Sequence, residues 1–164
     1  MIALKHVLVA TDFSEASEAA LTYGRHFART FGAALHVIHV VENVMARFAA
    51  DAYPVLLPDI QKDVEDAGEK RLQGALSSED FSDLHALPVI RSSVSPAAAI
   101  VEYAKDAKID LVIMGTHGRG AVAHLLMGSV AERVVRTANC PVLTVRHPEH
   151  EFVVPDALVA ITKA

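Results

Sequence analysis

The chain has 164 residues, 52% of them hydrophobic and 21% charged, with a formal net charge of −5. That length suits one domain with a real core, the balance excludes a disordered chain, and the lack of a long Lys/Arg cluster excludes sequence-independent nucleic-acid binding, which needs a basic surface. A single cysteine, Cys140, rules out an intramolecular disulfide framework, and no run approaches the ~18 apolar residues of a membrane span, so a soluble, cytoplasmic protein is expected.

The opening stretch, MIALKHVLVATDF, is apolar but is cut short by Asp12. It has no basic start and no cleavage site, and reads as a first strand over His6 to Ala10 rather than a signal peptide. Ser14 is a candidate N-cap for a helix running to about Phe31, with Ala20, Phe27 and Phe31 as core candidates. Gly32 ends it. Leu35 to Val41 is a second strand.

Asn43 to Pro58 is a long, irregular and rather apolar segment with room for a short helix. It holds Met45, Phe48, Tyr53, Val55, Leu56 and Leu57, with prolines at 54 and 58. A connection of this length is either an insertion patching the core edge or a lid or partner contact.

A second helix is expected from about Asp59 to Leu76, its apolar face made by Ile60, Val64, Ala67, Leu72 and Ala75. Leu87 to Ser92 is a third strand, and Pro88 suits a sheet edge better than its centre. Ser95-Pro96 opens a third helix, with Ser as N-cap and Pro at the first helical position. Leu111 to Met114 is a continuous apolar run, the pattern of a strand buried on both faces. Ser129-Val130-Ala131-Glu132 has the form of a capping box opening a fourth helix. Pro141 to Val145 is a fifth strand, and residues 147–164 form a tail that carries Phe152, Val153, Val154, Leu158 and Val159. Strands alternating with helices predict an α/β domain with a mainly parallel sheet.

Beyond the fourth strand come Gly115, Gly118, Gly120 and, later, Gly128-Ser129. Glycines just past a buried strand let backbone N–H groups approach a ligand, and beside a helix N-terminus such groups suit a phosphate. A P-loop is excluded, because Ala121-Val122 stand where Lys and Ser/Thr are required. A dinucleotide fingerprint through Gly118, Gly120 and Ala123 lacks the acidic residue roughly 20 positions on, where Ala138-Asn139-Cys140 lie. What remains is G-x2-G-x9-G-S, made by Gly115, Gly118, Gly128 and Ser129.

This signature resembles that of the universal stress protein family, ATP-binding branch. The resemblance runs from roughly Leu4 to Arg146. It also rests on Ala10 to Ser14 (ATDFS), His39-Val40 and Cys140-Pro141-Val142-Leu143. It implies a single three-layer Rossmann-like, adenine nucleotide α-hydrolase-like domain over residues 1–146, with five strands in the order 3-2-1-4-5 and a C-terminal extension over 147–164. That order reverses between strands 1 and 4, which opens a crevice at their carboxyl ends. Asp12 and the glycine motif both lie at those ends.

Carried over position by position, the resemblance implies a nucleotide site built from Ala10, Asp12, Val40, Met114, Gly115, Gly118, Arg119, Gly128 and Ser129. Asp12 and the backbone of Val40 would hold the adenosine part. Gly115 would neighbour ribose or phosphate, and Gly118, Gly128 and Ser129 would contact phosphates. It further implies ATP with a divalent cation, Mg or Mn, held through the phosphates, a stress-linked sensor or regulator role, a homodimer through strand 142–145, and a regulated protein partner. Two departures stand out. Val94 replaces a glycine before Pro96, and the tail is longer than usual.

Each site residue also has a plainer role. Asp12 is placed to cap the first helix, Ser129 to cap the fourth, and Arg119 to be solvated in a loop. His36 and His39, three apart on a strand, point to opposite faces and so do not form a metal pair. His147 and His150 lack neighbouring ligands at metal spacing. His117 lies beside the glycine motif. Cys140, before a proline at a strand start, reads as core rather than nucleophile. No G-x-S-x-G elbow is present, and the motif contains no clear base or lysine for hydrolysis. Two other functions stay open: an adenylating enzyme of the α-hydrolase-like group, whose Ser/Gly-rich loop is not matched by Ala10 to Ser14, and a nucleotide-free dimerisation module.

Overall fold

The structure is a computed structural model that describes residues 2–48, 57–116 and 127–146. In chain order the elements are β1 (His6–Ala10), α1 (Glu15–Phe31), β2 (Ala34–Glu42), α2 (Val44–Phe48), α3 (Leu57–Ala75), α4 (Ser78–Asp83), β3 (Leu87–Ser93), α5 (Pro96–Asp106), β4 (Leu111–Gly115), α6 (Ser129–Thr137) and β5 (Val142–Val145). The five strands form one sheet in the order β3-β2-β1-β4-β5, and every pairing is parallel.

Parallel strands need crossover helices, which cover both faces of the sheet. Strand alternation divides the core accordingly. Val7 and Val9 of β1, Leu35 and Val37 of β2, and Leu111 and Ile113 of β4 pack with Ala20 and Leu21 of α1 and Leu72 of α3. The intervening residues, Leu8, Ala10, Ile38, Val112 and Met114, face Ile100 and Ala104 of α5 and Val134 of α6. The two faces of β1 thus belong to different cores, which is why its apolar run is unbroken.

His36 and His39 obey the same alternation and diverge as expected. His36 is buried under α5. Its Nδ1 lies 2.7 Å from the Tyr103 hydroxyl and its Nε2 lies 3.1 Å from Nδ1 of His6. Burial, and then the neighbouring His6, hold its pKa below the ordinary value.

Several local expectations hold. Ser14 is the N-cap of α1, accepting from Ser17 N–H, and Gly32 closes that helix in the left-handed conformation at φ 63°. Ser95 and Pro96 open α5. Pro88 lies on β3, at the sheet edge.

Others are corrected. Phe31 is 38% exposed and lies outside the core. In α3 the buried residues are Gly68 and Leu72, whereas Ile60 is 44% exposed. The helix comes so close to β2 that a Cβ at Gly68 would lie 2.9 Å from Val41 Cγ1, so the contact face is centred on a residue with no side chain. The segment expected to be irregular over 43–58 begins with α2 and ends in the first turn of α3; residues 49–56 lie outside the described residues. The capping box expected at Ser129 is not formed. Gly128 is the N-cap and Ser129 the first helical residue, with no side-chain capping bond.

The short helix α4 was not anticipated. Ser77 and Asp80 form a capping box there, and buried Asp80 also accepts two hydrogen bonds from Arg25 of α1, at 2.8 and 2.7 Å. Arg25 reaches on to the Ala75 carbonyl at 3.0 Å. One guanidinium therefore ties α1, the end of α3 and α4 together with charge-assisted bonds.

Burial alone would raise the Asp80 pKa, but the bonds from Arg25 and Ser77 outweigh it and leave the carboxyl below its ordinary 3.8. A depressed folded-state pKa contributes stability above the unfolded value and loses it as pH falls through the folded value. Chemical denaturation across roughly pH 5 to 2 should therefore show a shallower acid loss for Asp80→Asn than for the native chain, from a lower starting stability. Identical pH slopes would show that this pair contributes nothing.

Candidate functional site

The strand order turns back between β1 and β4, with α1, the helix after β1, on one face of the sheet and α6, the helix after β4, on the other. In an open α/β sheet that position is the ligand crevice. Ala10 ends β1 and is paired with Ile38 on one side and Met114 on the other. Ala10, Met114 and Val40 all lie on the α5/α6 face. Asp12 follows two residues on. Its Oδ1 accepts from Ser14 N–H at 3.1 Å and from the Ser14 hydroxyl at 2.6 Å, so its carboxylate organises the turn into α1.

The Gly128 end of the motif is anchored from β4. Gly128 N–H donates to the Thr116 carbonyl at 2.7 Å, and Thr116 N–H to the Val145 carbonyl at 2.8 Å. These bonds set the N-terminus of α6 beside the carboxyl end of β4. The first turn of an α-helix presents N–H groups without intrahelical partners, and its dipole favours negative charge. Gly128 has φ −71° and ψ 152°, an extended backbone open to any residue, so conformation does not demand glycine there. Gly118 and Arg119, like His117, lie outside the described residues.

Gly115 proves to have a packing reason of its own. Alternation along β4 turns it to the α1 face, where a Cβ would meet the carbonyl carbon and the Cβ of Ala16 at 2.9 Å each, and the Ala16 oxygen at 3.1 Å. The missing side chain lets the first turn of α1 close over the end of β4.

Residues the motif does not include complete the turn after β1. Phe13 has φ 63°, a conformation that costs a non-glycine residue of order 1–3 kcal/mol. Its N–H donates to Thr11 Oγ1 at 3.0 Å, and that oxygen is 3.0 Å from Ser17 Oγ. Its ring lies 4.5 Å from the His39 ring, and the Arg71 guanidinium sits 4.3 Å above it. His39 Nδ1 is 2.8 Å from the Thr11 carbonyl. Period-two alternation along β2 places His39 on the α1/α3 face, but nothing in the sequence reveals the turn of Phe13 or the reach of Arg71 from α3.

Cys140 is half-buried against the α5/α6 core. Burial, followed by the charge of Asp110, raises its thiol pKa, which disfavours the reactive thiolate. Among the described residues there is no group of three or more His, Cys, Asp or Glu placed to hold a metal ion, and no helix long and apolar enough to cross a membrane.

A parallel, doubly wound sheet with this strand order and a helix N-terminus at the reversal defines a Rossmann-like α/β domain. Residues 3–146 match the universal stress protein family, and the chain belongs to it. It is 32% identical over 148 residues to a universal stress protein of Methanocaldococcus jannaschii, an alignment covering 90% of this chain and 85% of that one. The solved structure of a universal stress protein from Lactobacillus plantarum aligns with a TM-score of 0.70 and 27% identity, covering 89% of this chain and 100% of that one. A universal stress protein from Archaeoglobus fulgidus in complex with dAMP shares the fold, with a TM-score of 0.53, 20% identity, and coverage of 88% and 99%.

The contact at Gly115 can be separated from ligand binding. Gly115→Ala should destabilise the fold by about 1–3 kcal/mol through overpacking against Ala16, read as a fall of several degrees in Tm. An unchanged Tm with weakened nucleotide binding would instead put Gly115 in the path of the ligand.

Proposed function

We propose that this protein binds an adenine nucleotide, ATP, in the crevice between β1 and β4, and acts as a stress-linked, nucleotide-dependent sensor or regulator in the cytoplasm. The observation that carries this reading is the anchoring of Gly128 to Thr116, which fixes the N-terminus of α6 at the carboxyl end of β4, on the sheet face shared by Ala10, Val40 and Met114. An apolar floor with a phosphate cradle at one side fits a nucleoside phosphate. Ala10, Met114 and Val40 would line the adenosine end with Asp12 at its rim. Gly115, Gly118, Arg119, Gly128 and Ser129 would serve ribose and phosphates.

Val40 would contribute its backbone. Ile38 accepts from Thr11 N–H, and alternation aims the N–H and C=O of Val40 to the same side, just beyond the end of β1. An adenine edge offers the matching donor and acceptor. A divalent ion, Mg or Mn, fits as a passenger on the phosphates, since such ions are commonly held by substrate phosphates and water rather than by an all-protein cage. The adenine nucleotide in the Archaeoglobus fulgidus relative accords with this reading. Regulation would work through a nucleotide that favours one shape or partner contact over another.

The phosphate cradle is tested by Gly128→Val. The extended backbone accepts valine, so the fold should persist while the branched side chain blocks the phosphate. Loss of one charge-assisted hydrogen bond, about 1.5–3 kcal/mol, weakens ATP binding about ten- to more than a hundredfold. Calorimetric titration beside circular dichroism measures both, and equal ATP affinity in two folded proteins would reduce the motif to a turn.

Assembly follows from the other end of the sheet. β5 is an edge strand, and Val142 and Leu143 leave it apolar; such an edge invites pairing with another strand. The proposed homodimer joins β5 to β5, with the extension over 147–164 packing on it. Sedimentation at micromolar concentration should give a dimer, and a Val142→Lys, Thr144→Lys double variant a monomer. A monomeric native protein would refute this assembly.

A further inference from the structure

The Thr11 carbonyl should belong to the sheet. Thr11 N–H donates to Ile38 O at 2.9 Å, and in a parallel ladder the next bond would run from Val40 N–H back to Thr11 O. The donor found at that carbonyl is the imidazole of His39, with Nδ1 at 2.8 Å. A carbonyl oxygen only accepts, so the proton of this imidazole is on Nδ1. The chain then leaves the sheet through the left-handed Phe13, whose ring rests against His39 and beneath Arg71. The ladder between β1 and β2 thus ends one bond early, at the residue whose backbone faces the crevice.

We infer that His39 is a positioning residue for the nucleotide site: by holding Thr11 O on the far face of the sheet, it keeps the N–H and C=O of Val40 available to an adenine ring. This rests on the proposed nucleotide reading and extends it. His39 itself points to the α1/α3 face, away from the proposed adenine position. Two of its contacts are separable. The ring packs on Phe13, and the Nδ1–H bonds Thr11 O. Only the second bears on Val40.

Two variants divide these roles. His39→Phe keeps a ring against Phe13 and loses the donor. His39→Asn loses the ring and keeps an amide nitrogen where Nδ1 stands. In the ligand-free protein, the Val40 amide of the Phe variant should pair with Thr11 O, and its hydrogen exchange, followed by NMR, should slow relative to wild type. ATP affinity with magnesium, by calorimetry, should fall about tenfold or more in the Phe variant and stay within about threefold of wild type in the Asn variant. A purely structural role would instead track Tm and penalise Asn, which loses the stacking. If the Phe variant does not fold, His39→Gln, whose nitrogen lies one bond too far out, takes its place.

Wild-type protein that binds no adenine nucleotide overturns the crevice reading and this inference with it. Wild-type protein that binds ATP, beside a folded Phe variant with the same ATP affinity and Val40 exchange, overturns the positioning role alone. An Asn variant as impaired as the Phe variant does so too.

Discussion

The structure depends on β1 being paired on both sides by strands reached through opposite crossovers. Val7 to Ala10 lie in register with Leu35 to Ile38 on one side and with Leu111 to Met114 on the other. A strand in that position is buried on both faces, and its two sets of side chains belong to two cores. The same placement makes its carboxyl end the point where neighbouring chains depart in different directions. Burial at the centre and an opening at the end have a single topological cause.

Around that opening, the protein spends backbone freedom in specific places. Gly115 gives up its side chain so that α1 can close on β4. Phe13 takes a left-handed backbone that its ring contacts and the Thr11 hydroxyl hold in place. Gly128 is tied to Thr116, which is tied in turn to β5. These constraints converge on the few residues between the strand ends and the helix starts, where a preorganised site needs its backbone fixed. The Arg25–Asp80 pair serves a different end. It lies away from the crevice and fastens α4 against α1 and α3, so that the connection into the edge strand β3 is held by directional bonds as well as by Leu84 in the core.

Among the described residues, the crevice offers an apolar floor, a strand edge, the Asp12 carboxylate engaged in a turn and a helix terminus. The proposed nucleotide reading draws on these resources. Under the proposed reading, such a protein acts as a sensor when its bound and free forms differ in what they present to a partner, and the edge strand β5 lies directly beside β4.

The element types and their order were legible in the sequence because they depend on local patterns. Unbroken apolar runs marked β1 and β4, the alternation of strands and helices marked a parallel sheet, Gly32 marked the end of α1, and Ser95-Pro96 marked the start of α5. Pro88 marked an edge because proline lacks the amide that a central strand must donate. The strand order and the site residues came from the likeness of the glycine motif to a known family, and the order was then found in the fold. What the tertiary structure alone decided concerns contacts between residues distant in sequence. The face of α3 turned on Gly68, which a hydrophobic pattern cannot count. The capping box at Ser129 gave way to Gly128, because the bond from Gly128 to Thr116 sets where α6 begins. Asp80 found Arg25 across 55 positions. His39 found Thr11 O, and Phe13 found Arg71, only once three elements had been packed together. Periodicity reports which way a side chain points; it carries no information about what stands there to meet it.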